Sequence, residues 1–435
     1  MYARILLLLI LGFVTITFAD SAVQTDWSGG DGIIGPVSTW GNEFYMSSTL
    51  DWTSFPGSLA SLGFLEHTVD EDFFAAMSVY SADINGDGYM DVLGASNYID
   101  DITWWENVDG SGEEWTEHIV DGDFDGAMSV YSADINGDGY MDILGGAAYA
   151  MDVAWWENMD GSGTNWTEHT VDGDVDGLWT VHSADINGDG FMDILGAAWS
   201  STADIVWWEN VDGSGTSWIK HAIEGPPFGG MSVYSADINE DGYMDVLGAG
   251  YAADDITWWE NSDTSPGTIW TEHTVDGDFD LARSVYSDDI NGDGYLDVLG
   301  AGNNSITWWE NVDSSGTSWT EHTIDNDFDE ANSVYSADIN GDGYMDVLGA
   351  ALIADDITWW ENVDGSGTSW IEHTVDGAFD GALSVYSADI NGDGFMDVLG
   401  AALYDYNINW WELTLSGWLE SSILGIHMDP EWEYL

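Results

Sequence analysis

The sequence predicts an all-β protein, a seven-bladed β-propeller whose blades are four-stranded antiparallel sheets. Three observations predict this fold. A unit of about 51 residues recurs seven times, each unit contains four short β-prone segments, and no stretch shows a sustained helical period. One such unit alone would bury too little surface to fold, so the seven units are expected to share a continuous core.

The second unit illustrates the four segments. Turn residues rich in Asp, Asn and Gly separate them. The segments are 115–120, 129–135, 141–146 and 153–157. Four strands per unit are typical of a propeller blade, and closure into a ring is favoured over an open solenoid because it leaves no exposed sheet edge.

Two segments compete to close the ring. Residues 64–69 match the outer strand of later units well, whereas residues 418–423 match it weakly. We expect the N-terminal copy to complete the last blade. The predicted organisation is therefore an accessory segment over 20–63, the propeller over 64–417, and a tail or the start of a further element over 418–435.

The charge balance is extreme, with 81 acidic residues against three basic ones and a formal net charge of −78. Nucleic acid is excluded as a partner because almost no side chain could neutralise phosphates, and anionic membrane surfaces are repelled. The chain has no cysteine, so a bound metal is a plausible substitute for disulfides in a secreted protein. Adaptation to a saline environment is an alternative explanation of the acidity, compatible with metal binding.

Residues 1–19 are expected to be a signal peptide. Arg4 supplies the positive charge, residues 5–18 are apolar, and small residues at 17 and 19 suit cleavage before Asp20. An apolar run of 14 residues reaches roughly 21 Å as a helix, against about 30 Å of membrane hydrocarbon. Secretion without membrane insertion is therefore expected.

Each unit carries the loop Asp-x-Asn-x-Asp-Gly-x-x-Asp, which starts in the first unit at Asp83. Oxygen donors at positions 1, 3, 5 and 9, with the carbonyl of position 7, match the six to eight oxygens that calcium prefers. The glycine at position 6 permits a tight turn. Position 12 is Gly94 and not Glu, so this is not a helix-loop-helix calcium site, and the β-prone flanks indicate a hairpin.

We predict about one Ca²⁺ per blade, up to seven, with Asp91 and its equivalents binding through both oxygens. The predicted ligands are Asp83, Asn85, Asp87, Tyr89 and Asp91; Asp134, Asn136, Asp138, Tyr140 and Asp142; Asp185, Asn187, Asp189, Phe191 and Asp193; Asp237, Asn239, Asp241, Tyr243 and Asp245; Asp289, Asn291, Asp293, Tyr295 and Asp297; Asp338, Asn340, Asp342, Tyr344 and Asp346; and Asp389, Asn391, Asp393, Phe395 and Asp397.

These loops resemble those of the FG-GAP or VCBS repeat family, which includes the integrin α-chain propellers. The resemblance covers roughly residues 64–417 and rests on the calcium-type loop between two strands. It implies a seven-bladed propeller with calcium in the hairpin between the first and second strands of each blade. The Phe-Gly and Gly-Ala-Pro signature is poorly represented, and Leu-Gly-Ala stands in its place, as at 93–95. The further repeats Trp-Trp-Glu-Asn and Glu-His-Thr-Val resemble a subgroup of secreted bacterial repeat proteins.

Three other repeated features have a structural and a functional interpretation. The Trp-Trp pair of each unit, as at 104–105, is expected to be core, although it could stack on sugars. The recurrent histidine of the outer strand, as at His118, is expected to support the strands and not to bind metal. Asp-rich segments such as 121–126 are expected to be turns between blades, with weak cation binding left open.

The connections between the second and third strands vary most between units, and we expect them on the face opposite the calcium hairpins. Binding usually resides in variable loops on a rigid scaffold. No catalytic pairing is evident, so the leading hypothesis is a non-enzymatic scaffold or adhesion module for an extracellular protein or glycan. A glycan-binding lectin is the alternative, and a polysaccharide-degrading enzyme is a third possibility.

Overall fold

The computed structural model describes residues 61–416, except 201–202, 226 and 262–265, together with four short strands nearer the N-terminus. Those strands form two hairpins, β1 (Leu8–Ile10) with β2 (Phe13–Thr15) and β3 (Ser38–Trp40) with β4 (Glu43–Tyr45). The rest of the predicted signal peptide and accessory segment, and the predicted tail over 418–435, lie outside the described residues.

The compact unit Leu62–Leu415 contains seven four-stranded antiparallel sheets. The first strands of the blades are β6 (Ala76–Ala82), β10 (Ala127–Ala133), β14 (Leu178–Ala184), β18 (Gly230–Ala236), β22 (Ala282–Asp288), β26 (Ala331–Ala337) and β30 (Ala382–Ala388). The second strands are β7 (Asp91–Ser96), β11 (Asp142–Ala147), β15 (Asp193–Ala198), β19 (Asp245–Gly250), β23 (Asp297–Gly302), β27 (Asp346–Ala351) and β31 (Asp397–Ala402). The third strands are β8 (Asp101–Asn107), β12 (Asp152–Asn158), β16 (Ile205–Asn210), β20 (Asp255–Asn261), β24 (Ser305–Asn311), β28 (Asp356–Asn362) and β32 (Ile408–Ser416). The fourth strands are β9 (Trp115–Asp121), β13 (Trp166–Asp172), β17 (Trp218–Glu224), β21 (Trp270–Asp276), β25 (Trp319–Asp325), β29 (Trp370–Asp376) and β5 (Ser61–Asp70).

The first strands of neighbouring blades contact each other all the way round, and β30 contacts β6, so the ring is closed. The predicted seven-bladed propeller is confirmed. The last blade has the strand order β30-β31-β32-β5. The prediction that the N-terminal copy completes it is therefore also confirmed, and Thr414 Oγ1 donates to the Gly63 carbonyl at 3.0 Å across this junction.

The burial of each strand follows from its place in the blade. The second strands are buried at every position and the third strands at all central positions, whereas the fourth strands alternate and face solvent. This matches their residues, since Val, Leu, Gly and Ala fill the second strand and polar residues alternate in the fourth.

The tryptophan pairs are core, as predicted, and they also link the blades. Trp104 and Trp105 are essentially inaccessible to solvent. Trp104 Nε1 donates to the Gly163 carbonyl of the following blade at 2.9 Å. Trp105 Nε1 donates to Asp70 Oδ2 of the preceding blade at 3.1 Å. Because adjacent residues of a strand face opposite sides, one dipeptide joins its blade to both neighbours.

The outer-strand histidines support the blades. His118 stacks on Trp104, with ring centroids 4.4 Å apart, and its Nε2 lies 2.9 Å from Glu106 Oε2. The same histidine–glutamate hydrogen bond occurs in five further blades, at His169, His221, His273, His322 and His373. Each connects the third strand to the fourth.

Seven aromatic side chains from the first strands form a ring around the propeller axis. Neighbouring ring centroids lie 4.6 to 4.9 Å apart, and the last contacts the first. The residues are Tyr80, Tyr131, His182, Tyr234, Tyr286, Tyr335 and Tyr386. Six are tyrosine, so His182 is the exception, and its buried Nε2 lies 3.1 Å from Ser235 Oγ. In the described part of the chain no helix is long and apolar enough to cross a membrane.

Candidate metal centre

The nine-residue loops lie in the hairpins between the first and second strands, where the sequence placed them. In the first blade Asp83 organises the turn, because its Oδ1 accepts from Asp87 N at 3.0 Å and its Oδ2 from Gly88 N at 2.9 Å. Asn85 Oδ1 accepts from Asp87 N at 2.9 Å. Asp87 Oδ1 accepts from Tyr89 N at 2.9 Å. These bonds repeat in all seven loops, so the side chains at positions 1, 3 and 5 have one arrangement throughout.

The glycine at position 6 is required by the backbone. Gly88 has φ of +93°, which residues with a side chain rarely adopt. Position 4 is also left-handed, with φ of +71° at Gly86. The fourth loop has Glu240 at position 4, with φ of +58°. The loop keeps its shape despite this substitution, and the donor residues around it are unchanged.

The aspartate at position 9 differs in its surroundings from the side chains at positions 1, 3 and 5. Asp91 is fully buried at the start of β7, and its Oδ2 accepts from Ile84 N at 3.0 Å while its Oδ1 accepts from Asn107 N at 2.9 Å. Burial raises the pKa of Asp91 to about 7, the two backbone hydrogen bonds oppose this rise, and the charges of Asp87 and Asp83 add to it. The pKa of each equivalent is raised by burial in the same way, to about 8 at Asp245 and about 7 at Asp142, Asp193, Asp297, Asp346 and Asp397.

The donors suit a hard cation in their chemistry. Each loop combines carboxylate, amide and carbonyl oxygens, the ligand types that calcium takes. Among the described residues, no three His, Asp or Glu side chains come close enough to hold a metal by themselves. A cation in the loop would therefore take a mixed set that includes the Asn85 oxygen and the Tyr89 carbonyl. Coordination by both oxygens of Asp91 stays a prediction.

A buried asparagine that the sequence reasoning missed holds the loops to the ring. Asn107 Nδ2 donates to the carbonyl of Met90 in its own loop at 3.1 Å, and to that of Ile390 in the neighbouring blade's loop at 2.8 Å. Its Oδ1 accepts from Gly112 N at 3.0 Å. The available signal was the Asn that ends Trp-Trp-Glu-Asn in six units. Its equivalents are Asn158, Asn210, Asn261, Asn311 and Asn362.

The aromatic residue at position 7 packs over a glycine of the hairpin between the third and fourth strands. A Cβ atom added at Gly110 would overlap the Tyr89 ring. The same close approach occurs between Gly161 and Tyr140 and between Gly213 and Phe191. This face of the propeller is therefore bound together by short, repeated contacts.

The opposite face carries the variable second-to-third strand loops and the turns between blades, as predicted. Asp100 connects the two, since its carbonyl accepts from Phe124 N and its Oδ1 from Gly126 N, both at 2.9 Å. Phe124 is buried against Trp156. Large side chains at the loop tips are instead exposed: Tyr98 (74%), Tyr149 (65%), Trp199 (52%) and Tyr404 (51%).

Sequence comparison matches the FG-GAP-like repeat to residues 83–145, 146–196, 194–248, 237–300 and 289–349. Together these stretches cover more than half of the chain. No curated protein matches the sequence in a comparison of whole chains.

Two of the solved structures that match this chain share its fold. Two structures of BBS1N in complex with ARL6DN, soaked with mercury and with lead, align with TM-scores of 0.53 and 0.51. They are 9% and 10% identical to this chain, covering 81% and 82% of it and 98% and 97% of theirs. An Agrocybe aegerita lectin, described for specific recognition of non-reducing terminal N-acetylglucosamine, aligns with a TM-score of 0.49 and 18% identity, over 83% of this chain and 90% of its own.

Proposed function

This chain belongs to the FG-GAP-like repeat family, and we propose that it is a secreted, calcium-stabilised propeller that acts as a non-enzymatic binding or adhesion scaffold. The observation that carries the proposal is the difference between its two faces. Seven equivalent loops form one face, whereas exposed aromatic residues that differ between blades lie on the other. Seven equivalent sites suit one repeated structural role, and a varied face on a rigid ring suits recognition.

Calcium would be held by the side chains at positions 1, 3, 5 and 9 and the carbonyl at position 7. Its chemical contribution is positive charge among three carboxylates. In the first loop those carboxylates are Asp83, Asp87 and the buried Asp91. Repulsion from Asp87 and Asp83 helps to raise the pKa of Asp91. A cation that binds the folded loop and not the unfolded chain stabilises the fold by about 1.4 kcal/mol per site at ten times its Kd. Seven such contributions to the free energy of unfolding would add up to a large stabilisation.

Thermal unfolding in a chelator and in millimolar calcium tests this proposal. We expect the melting temperature to rise by more than 10 °C with calcium and to return when chelator is added. Magnesium is the control, because it prefers a stricter geometry with more bound water and should stabilise less. An unchanged melting temperature with calcium would contradict the structural role of the metal.

A glycan-binding lectin is the second candidate, and the exposed rings favour it. The ring centroids of Trp199 and Tyr251 lie 5.6 Å apart. Both residues belong to second-to-third strand loops. Exposed aromatic faces beside hydroxyl and carboxylate groups are suited to stacking on sugar rings. A glycan array with the wild-type protein and Trp199→Ala tests this, with Ile353→Ala as control, since Ile353 is exposed on an equivalent loop but has no ring. Loss of binding in Trp199→Ala alone would support the lectin.

A further inference from the structure

The clefts between neighbouring blades contain a feature that the metal loops do not explain. In the cleft between the second and third blades, Lys220 Nζ lies 2.8 Å from Asp172 Oδ2. The ammonium group also lies 5.6 Å from the centre of the Trp208 ring. Trp208 Nε1 donates to the same Asp172 oxygen at 3.0 Å. One carboxylate and one indole ring therefore form a seat for an alkylammonium group, which the chain itself fills.

The Lys220 ammonium group changes the pKa of the Asp172 carboxyl. Burial acts to raise the pKa of this carboxyl, but the hydrogen bonds from Lys220 and Trp208 outweigh burial, and the pKa is lowered. Both the ion pair and the cation–π contact favour the charged ammonium group.

Other blades have a glutamate where the third blade has Lys220. The carboxylate of this glutamate then lies near aspartate carboxylates of the cleft, and the like charges repel each other. At Glu168, burial raises the pKa, and the charges of Asp121 and Asp152 raise it further. At Asp101, burial raises the pKa to about 6, with added contributions from Glu117, Asp100 and Asp121. The carboxylate–indole pair is present in the first two blades, as Asp70 with Trp105 and Asp121 with Trp156, and a glutamate stands there in place of the lysine.

The cleft between the fourth and fifth blades has the same seat and open space beside it. Trp309 Nε1 donates to Asp276 Oδ2 at 3.2 Å, as Trp208 does to Asp172. Glu321 pairs with Trp309 across β24 and β25, in the register that Lys220 has with Trp208. A cavity of about 410 Å³ opens here, lined by residues that include Asp276, Asp278, Asp280 and Glu321.

The cavity follows from a local change in sequence. The connection from β23 to β24 has only two residues, Asn303 and Asn304, whereas those of the first, second, fourth and sixth blades have four. The loop tip that carries an exposed large side chain in other blades, as at Tyr98, Tyr149 and Ile353, is missing. Of the two basic side chains in the described part of the chain, Lys220 occupies another cleft and Arg283 pairs with Glu330 at 3.3 Å.

We propose that the cleft between the fourth and fifth blades binds an alkylammonium group, supplied by a free diamine or by a lysine side chain of a partner. The third blade shows how this chain seats such a group. The fifth blade offers the equivalent carboxylate, held by the same indole hydrogen bond, with additional carboxylates and an entry. The inference rests on the proposed binding role of this face but not on calcium binding.

Calorimetric titration of the protein in millimolar calcium with 1,5-diaminopentane, and separately with an oligolysine peptide, tests the proposal. The Glu321→Lys variant gives the fifth blade the residue that the third blade already has, so its ammonium should fill the seat. We expect it to weaken the tightest binding step at least tenfold. An oligolysine peptide with acetylated side chains should not bind. Diamine binding without peptide binding would identify a free amine as the ligand, and binding of both would identify a lysine-bearing partner.

Non-specific attraction to a chain of charge −78 is controlled by Glu114→Lys, which changes the net charge equally at an exposed position of the first blade. It should bind as the wild type does. Equal loss in both variants, or none in Glu321→Lys, would overturn the proposal, as would displacement of the diamine by added calcium. Lys220→Ala provides a second measurement, because n-butylamine should restore its lost melting temperature while leaving the wild type unchanged. Absence of this rescue would remove the internal precedent on which the proposal depends. A failed calcium test would leave these outcomes unaffected.

Discussion

The two faces of the propeller differ in how their loops are held. On the face that carries the nine-residue loops, buried groups such as Asp91 and Asn107 connect each hairpin to its own blade, and Asn107 also connects it to the neighbouring blade. On the opposite face, hydrogen bonds hold the turns, but Tyr98 and Tyr149 extend into solvent. The loop side chains at positions 1, 3, 5 and 9 and Asn107 all have hydrogen-bond partners, so a substitution at any of them loses contacts. The second face can vary without cost to the fold, which makes it the better place for recognition.

The largest expected effect is the loss in the free energy of unfolding when a buried aspartate is replaced, and an exposed tyrosine on the other face provides the comparison. Asp297→Ala removes the acceptor for Ile290 N and Asn311 N and leaves both amides buried without a partner. We expect a loss of about 4 kcal/mol in the free energy of unfolding, from two unsatisfied groups at about 1–3 kcal/mol each. Denaturant titration in a chelator measures this without a contribution from metal.

Tyr98→Ala is the matched variant on the other face. Its side chain is 74% exposed, so we expect a change below about 0.5 kcal/mol. Equal losses in the two variants would contradict the claim that the faces differ in constraint.

The regular face could largely be predicted from the sequence. The hairpin position of the loops, the buried tryptophan pairs and the closing strand all followed from period, alternation and turn residues, because these constraints act over a few neighbouring residues. The function of Asn107 was not predictable in this way, since its partner Ile390 lies 283 positions away. Nor were the aromatic ring and the seat of Lys220, because they form only when separate blades meet.

Two glycines with nearly the same backbone conformation differ in how closely another blade packs against them. Gly163 has φ of +67°, and an added Cβ would lie 2.5 Å from the Trp104 ring of the preceding blade. Gly137 has φ of +72° with no atom within 4 Å. We expect Gly137→Ala to cost about 1 kcal/mol from backbone strain alone, and Gly163→Ala about 3 kcal/mol because overpacking adds to it. Unfolding of both variants in urea would show the difference, and equal costs would mean that the contact relaxes freely.

The smallest effect concerns an irregular position within the regular part of the molecule. His182 stands where six blades have tyrosine, and burial lowers its pKa to about 4 from 6.5. The unfolded chain therefore binds a proton below pH 6.5 that the folded chain takes up only near pH 4. Stability from this group is present above pH 6.5 and is lost as the pH falls, by about 2 kcal/mol at pH 5.

His182→Tyr removes this dependence and restores the repeated ring, with Tyr131 and Tyr234 as its neighbours. The unfolding free energies of the variant and the wild type should therefore diverge between pH 7 and pH 5, with the variant losing less. Titrating carboxylates affect both proteins equally, so the difference between them isolates His182. A constant difference across this range would show that His182 takes up its proton at the same pH in the folded ring as in the unfolded chain, so that the centre of the propeller tolerates a charge that burial disfavours.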